Sequence, residues 1–175
     1  MSQSATIYRV SGSYFASLNK AEGGAVFDPD AATDSATFNG THCGLEFLLC
    51  KITPQFTHLH RTIFAPENEV APRNPQLDEE AWLETLDDGQ IIPCLPPDKV
   101  SLIFSAIESI TEPILVDNYA PDEMNREGIY PSVWSMGLEE SVAYNERHII
   151  ADFMQLKALF SGAFEKNEYL LVFVG

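Results

Sequence analysis

The chain has 175 residues, with 26 acidic against 10 basic side chains, and its formal net charge is −16 at pH 7. A charge of this sign repels nucleic acid phosphates and anionic membranes, so we expect neither as a partner. The length is that of one domain, residues 1–175, which can bury a core without disulfides. No basic and apolar leader precedes Ile7 and no apolar run reaches membrane length, so we expect neither a signal peptide nor a span.

Three cysteines, an odd number, argue against a framework of disulfides. Cys43 and Cys50 lie on one predicted helix, roughly 10.5 Å apart along its axis, which is too far for a bridge. We expect these two and Cys94 to be reduced, small apolar residues. Reduced cysteines are typical of a cytoplasmic protein.

The first third of the chain alternates between short elements and loops. Ala5–Val10 alternates as a strand does, and Tyr14–Asn19 is a short helix. Residues 28–37 are rich in Asp, Pro, Thr and Ser, a composition that predicts a loop. Phe38–Cys50 then predicts a helix with three leucines facing the core.

Residues 54–76 contain four prolines and predict a long loop with a short strand at Thr62–Phe64. His58 and His60 would point to one side of an extended chain. Two imidazoles could bind zinc, but a zinc site needs three or four ligands, and no third candidate ligand lies at a spacing typical of zinc sites. We therefore predict no metal and no cofactor.

A compact acidic helix is predicted at Asp78–Leu86, because its first turn holds acids that favour the positive end of a helix dipole. Trp82 either anchors this helix on the core or is an exposed aromatic inside an acidic ring, as in an interface hot spot. A strand over Gln90–Leu95 follows. Pro96-Pro97-Asp98 then opens another helix.

Residues 111–137 show no regular period but hold several aromatic residues. These side chains either pack over the core or line a cleft, in which case nearby carboxylates are the candidate acid–base groups. The predicted alternative ligand cleft consists of Asp117, Tyr119, Asp122, Glu127, Tyr130 and Trp134.

The C-terminal part has the strongest pattern. Leu138–Lys166 carries an apolar helical stripe but would be roughly 44 Å long as one helix, so we predict a break near Tyr144–Arg147. Tyr169–Val174 is apolar without alternation, which is typical of a strand buried on both faces. We therefore predict an α/β fold with this strand central and helices on both faces of the sheet.

Four segments together resemble the YfbM-like family of small uncharacterised bacterial proteins. They are Gly44–Leu49, Leu95–Val100, the group Tyr130-Pro131 with Trp134, and the helix through Leu156 and Phe160 into Leu170–Phe173. The resemblance covers the chain from about Phe38 onward. It implies a single-domain, three-layer α/β fold with a small mixed sheet, and brings no catalytic residues. His42 and Glu46 stand where that pattern usually has Trp and His.

Function has to be argued from charge, because the chain has no glycine-rich nucleotide loop, no Gly-x-Ser-x-Gly and no Cys-x-x-Cys. An enzyme is therefore the less favoured class, although carboxylates from separate loops leave no linear motif. We predict a non-enzymatic, acidic binding domain for a basic protein, of which an immunity-type inhibitor of a toxin or nuclease is one example. An enzyme or small-ligand binder using residues 117–134 is the alternative. The predicted partner-binding residues are Asp78, Glu79, Glu80, Trp82, Glu84, Asp87 and Asp88.

Overall fold

The computed structural model describes residues 3–20, 25–70 and 91–175. Within these residues five strands form one sheet in the order β2-β1-β5-β4-β3. The strands are β1 (Ser4–Val10), β2 (Asp34–Asn39), β3 (Asn68–Val70), β4 (Ile92–Leu95) and β5 (Tyr169–Val174).

The α-helices of the described residues lie between these strands, and most of them follow β2. They are α1 (Gly12–Leu18), α2 (His42–Ile52), α3 (Thr57–Thr62), α4 (Pro97–Ile107), α5 (Glu112–Asn118), α6 (Pro121–Arg126) and α7 (Glu146–Lys166).

The C-terminal strand β5 is central, as predicted. It pairs with β1 on one side and β4 on the other, and Leu170, Leu171 and Val172 are at most 1% exposed. The α/β class is therefore confirmed. All pairings among the described strands are antiparallel, so the sheet is not mixed as the resemblance implied. Strands β1 and β4 both run opposite to β5, and the edge strands β2 and β3 run opposite to β1 and β4.

Two apolar clusters cover the two faces of the sheet, because side chains alternate along each strand. On one face, Ile7 and Val172 belong to the main core, which α2, α4 and α7 cover. On the other face, Leu171 belongs to a smaller cluster under α1, where Phe15 stacks on Tyr169 with ring centroids 3.8 Å apart. Helices on both faces are thus confirmed.

The long helix α7 begins at Glu146, inside the region where we predicted a break. Asn145 is its N-cap, and the side chain of Asn145 accepts a hydrogen bond from the backbone N–H of His148. The middle of α7 meets the C-terminal end of α4, where Lys157 Nζ donates to the carbonyl oxygens of Glu108 and Ile110 just beyond that helix. Residues 138–145 form an irregular segment instead of more helix.

Some predicted loops are regular elements. Strand β2 lies where composition predicted a loop; it is an edge strand, so its polar residues face solvent while Ala36 and Phe38 are buried. The strand predicted at Thr62–Phe64 is wrong, because α3 ends at Thr62 and a turn follows it. Helices α5 and α6 were missed, since Pro113 and Pro121 lie in their first turns, where proline is tolerated.

No helix in the described ranges 3–20, 25–70 and 91–175 is both long and apolar enough to cross a membrane.

Candidate functional site

Two of the three aromatic side chains of the predicted ligand cleft, those of Tyr119 and Trp134, are buried. Tyr119 is buried, and its hydroxyl donates to the carbonyl oxygens of Ser135 at 2.9 Å and Tyr144 at 3.3 Å. Burial, with a contribution from the charge of Glu146, raises the pKa of Tyr119 to about 12. Tyr119 therefore holds the following loop in place as a neutral hydrogen-bond donor.

Trp134 is fixed from several directions. Its indole Nε1 donates to the carbonyl oxygen of Ile129 at 2.9 Å. Its backbone N–H donates to Asn125 Oδ1 at 2.8 Å, and Asn125 Nδ2 donates back to the Trp134 carbonyl oxygen at 2.9 Å. The indole also lies against Gly44 of α2. Trp134 is a structural residue of the loop.

The carboxylates of the same predicted cleft point to solvent. Asp117 on α5 and Asp122 on α6 are exposed, and exposed Glu127 lies 3.5 Å from Arg126. Tyr130 is half-buried and lines a cavity of about 450 Å³ with Cys43, Glu46, Cys50 and Arg61 among its neighbours. The six predicted residues therefore do not converge on one cleft.

The cavity beside Tyr130 is lined by a carboxyl and two thiols whose pKa values are raised by burial. Burial raises the pKa of Glu46, against the effect of the nearby Arg61. Burial and the charge of Glu46 raise the pKa of the Cys43 thiol, and burial raises that of Cys50 as well. Thiols with raised pKa values are poor nucleophiles, so this cavity does not resemble the site of a cysteine enzyme.

The histidines that we considered for zinc do not form a pair. In α3, His58 is exposed, whereas His60 is fully buried and its Nε2 lies 2.7 Å from the Thr53 hydroxyl. No group of three or more His, Cys, Asp or Glu side chains that could hold a metal ion occurs in the part of the chain that the structure describes.

A loop between α6 and α7 presents apolar side chains to solvent. Val133, Met136 and Leu138 are 60%, 66% and 60% exposed. We call residues 133–140 the exposed loop. Although these three side chains are exposed, the loop backbone is held by Tyr119 at Ser135 and by Asn145, whose Nδ2 donates to the Glu139 carbonyl oxygen at 2.8 Å. An ordered segment with unburied large side chains is typical of a binding surface.

Exposed acidic residues lie in the exposed loop and on the helices before it. Glu139 and Glu140 belong to the loop itself, and Asp117 and Asp122 lie on the two helices that precede it. Glu140 lies 3.6 Å from Arg147, whereas Asp117, Asp122 and Glu139 form no ion pair with any base in the described residues. The exposed loop thus carries both apolar and acidic side chains that are exposed to solvent.

Sequence reasoning missed a second cleft, which lies between the end of β2 and the start of α7. We call it the β2–α7 cleft. It encloses about 300 Å³, and its lining residues are Thr37, Asn39, Thr41, Ala143, Tyr144, His148 and Asp152.

Asp152 is the charged residue of the β2–α7 cleft, and the hydroxyl of buried Thr41 donates to its Oδ2. Burial raises the pKa of Asp152, while the Thr41 hydroxyl and the imidazole of His148 act in the opposite direction. His148 and Asp152 are four residues apart on α7 and so lie on one face of the helix. This spacing was the one signal of the cleft in the sequence.

We predict that Asp152→Asn leaves the protein at least as stable as the wild type at pH 7. The carboxylate has a raised pKa in the folded state, so folding disfavours its charged form, and the asparagine oxygen can still accept from Thr41. Because this pKa is raised, the folded protein binds protons at Asp152 more readily than the unfolded chain does. The stability lost by burying the charged carboxylate is therefore regained as the pH falls toward 3.8, the ordinary pKa of Asp. Urea unfolding of both proteins at pH 7 and pH 4.5 measures the difference. A wild type that is more stable than the variant at pH 7 would contradict the prediction.

The predicted partner-binding residues, Asp78 to Asp88 with Trp82, lie outside the described residues, so their role stays a prediction.

The fold and these surfaces define an acidic α/β protein whose antiparallel sheet carries helices on both faces. Within this class, the chain belongs to the family described as Domain of unknown function (DUF1877), whose family model matches residues 43–173. It is similar in structure to YfbM from Escherichia coli, a protein of unknown function, with a TM-score of 0.54 and 13% identity over 100% of both chains. The predicted resemblance to the YfbM-like family is confirmed. At this identity the structural likeness shows the fold alone. No curated protein matches the chain.

Proposed function

We propose that this protein is a non-enzymatic binding domain that captures a basic protein, with the exposed loop as part of its contact surface. The observation that carries the proposal is the juxtaposition of Val133, Met136 and Leu138, all exposed, with Glu139, whose carboxylate forms no ion pair with a base in the described part of the chain. The net charge of −16 also favours a positively charged partner.

The two parts of this surface have different roles in binding. Apolar side chains in the centre of an interface supply most of the binding free energy once water is excluded from them. The carboxylates of the loop and of the helices before it steer a positively charged partner toward the surface and reject negatively charged ones. The partner that fits is therefore a protein whose contact surface has both basic and apolar side chains.

The hydrogen bonds within the exposed loop support the same function. Since Tyr119, Asn125 and Asn145 hold the loop backbone before a partner arrives, little conformational entropy is lost on binding. The exposed loop therefore serves as a rigid binding surface, a role that involves no chemical reaction.

The narrower proposal is an immunity-type inhibitor. A toxin or nuclease has a basic active site for phosphate groups, and an acidic surface of this kind would cover it. The segment Asp78–Asp88 with Trp82 is proposed as a second part of the contact, from its sequence alone. The alternative, an enzyme or small-ligand binder built on residues 117–134, is less well supported, because the side chains predicted for it do not share a cleft.

The proposal predicts that the double variant Met136→Ser with Leu138→Ser loses capture of the partner by at least about tenfold. Burying each of these side chains contributes about 1.5–3 kcal/mol, and about 1.4 kcal/mol already corresponds to a tenfold change in affinity. The measurement is a pull-down from a lysate of the source organism, with mass spectrometry of the bound proteins. The matched control is Met154→Ser, which changes an exposed methionine on α7.

The supporting result is a basic protein that the wild type and the control retain and the double variant does not. A partner that is retained equally by all three proteins would remove the exposed loop from the contact surface.

A further inference from the structure

The β2–α7 cleft offers hydrogen-bond acceptors, and their orientation follows from Asn145. The Nδ2 atom of Asn145 donates to the carbonyl oxygen of Glu139 at 2.8 Å, which fixes which end of the amide is the oxygen. Asn145 Oδ1 lies 3.0 Å from His148 Nδ1 and can only accept. Nδ1 of His148 therefore carries a hydrogen, and in the neutral imidazole Nε2 is left as an acceptor.

Asp152 provides the second acceptor. Its Oδ2 is bound by the Thr41 hydroxyl, whereas Oδ1 accepts no hydrogen bond from any described residue. No lysine or arginine of the described chain forms an ion pair with this carboxylate. One face of α7 thus presents a carboxylate oxygen and an imidazole nitrogen that can both take hydrogen bonds from a ligand.

An aromatic ring forms another wall of the β2–α7 cleft. Tyr144 lines the cleft with its backbone in the left-handed region, at φ 56°. Its ring lies so close to Gly40 that a Cβ there would come within 2.9 Å of it, and Gly40 itself has φ 77°. The backbone is thus shaped around this ring. An aromatic ring that lines the same cleft as a carboxylate favours a cation as the ligand.

We propose that the β2–α7 cleft binds a guanidinium or ammonium group, held by Asp152, by Nε2 of His148 and by the ring of Tyr144. The lining residues include no lysine or arginine, so a cation meets no like charge there, whereas an anion would meet Asp152 without compensation. A volume of about 300 Å³ accommodates one such group with its aliphatic stem. The group could belong to an arginine or lysine side chain of a protein, or to a free small molecule.

The test is a titration of the intact protein with N-acetyl-L-arginine methylamide, which mimics an arginine in a peptide, and with agmatine, a free guanidinium compound. N-acetyl-L-citrulline methylamide is the neutral control of nearly the same shape. Binding is followed through the imidazole NMR signals of His148, with exposed His58 as the internal reference. We expect both guanidinium compounds to shift the His148 signals, and the citrulline compound to bind at least about tenfold more weakly, since it lacks the charge.

The matched variants are Asp152→Asn, which should weaken guanidinium binding at least about tenfold, and Asp98→Asn, which removes an exposed carboxylate on α4 and should leave it unchanged. Tighter binding of the arginine derivative assigns the cleft to a protein side chain, and tighter binding of agmatine assigns it to a small molecule. Equal binding of the citrulline compound, or no shift of the His148 signals in the wild type, would overturn the proposal. The outcome of this titration is independent of whether the exposed loop captures a protein partner.

Discussion

Phe160→Ala is expected to destabilise the protein by about 3–5 kcal/mol, which is a large share of the total stability of a domain of this size. Phe160 is fully buried in α7, and its ring belongs to the main core between the helices and the sheet. Removing the ring leaves a cavity that the surrounding helices and strands can fill only in part. Urea unfolding followed by circular dichroism measures the change.

The matched control is the same substitution one turn later on the same helix. Phe164 is 45% exposed and stacks on Phe104 with ring centroids 5.2 Å apart. Phe164→Ala should therefore cost only about 0.5–1.5 kcal/mol, the contribution of one aromatic pair. Equal losses in the two variants would show that α7 does not pack on the core through the face described above.

Gly44→Ala is expected to destabilise the protein by about 1–3 kcal/mol, although alanine is favoured over glycine inside a helix by about 1 kcal/mol. An added Cβ would lie 2.5 Å from the ring of Trp134. Trp134 cannot easily retreat, since Asn125 holds its backbone through two hydrogen bonds and the carbonyl oxygen of Ile129 accepts one from its indole. The unfolding midpoint in urea is the measurement.

Gly12→Ala is the control for this substitution. Gly12 also lies in a helix, but the nearest atom to an added Cβ is 3.9 Å away, an ordinary contact. The Gly12→Ala substitution should therefore leave the free energy of unfolding unchanged or raise it. A second variant, Gly44→Ala with Trp134→Phe, should recover part of the loss, because the smaller ring makes room for the methyl group. A Gly44→Ala protein as stable as the wild type would contradict this account of Trp134.

The parts of the fold that the sequence predicts well are those with long apolar patterns. Helix α7 repeats its apolar residues over 21 residues, and β5 is continuously apolar, so both elements and the central place of β5 were predicted. Strand β2 was missed because an edge strand needs few apolar residues, and it has only Ala36 and Phe38 on its buried face. Helices α5 and α6 were missed because a proline in a first turn looks the same in sequence as one that ends a helix.

The candidate surfaces were harder to predict than the fold. Thr41 and Asp152 meet across 111 residues of sequence, so the spacing of His148 and Asp152 is the only local pattern that reports the β2–α7 cleft. Exposure of Met136 and Leu138 depends on the hydrogen bonds of Tyr119 and Asn145, which hold the loop with these side chains outward. The acidic character, by contrast, follows from composition alone.

The most direct test of the proposed function is capture of a basic partner by the wild-type protein at low salt and at 0.5 M salt. At the higher concentration the Debye length falls to roughly 4 Å, so steering by the carboxylates is screened while apolar contacts persist. The account predicts a basic protein that binds at low salt, binds less at 0.5 M salt, and is lost from the Met136→Ser, Leu138→Ser variant under both conditions. Recovery of no basic protein at either salt concentration would contradict it.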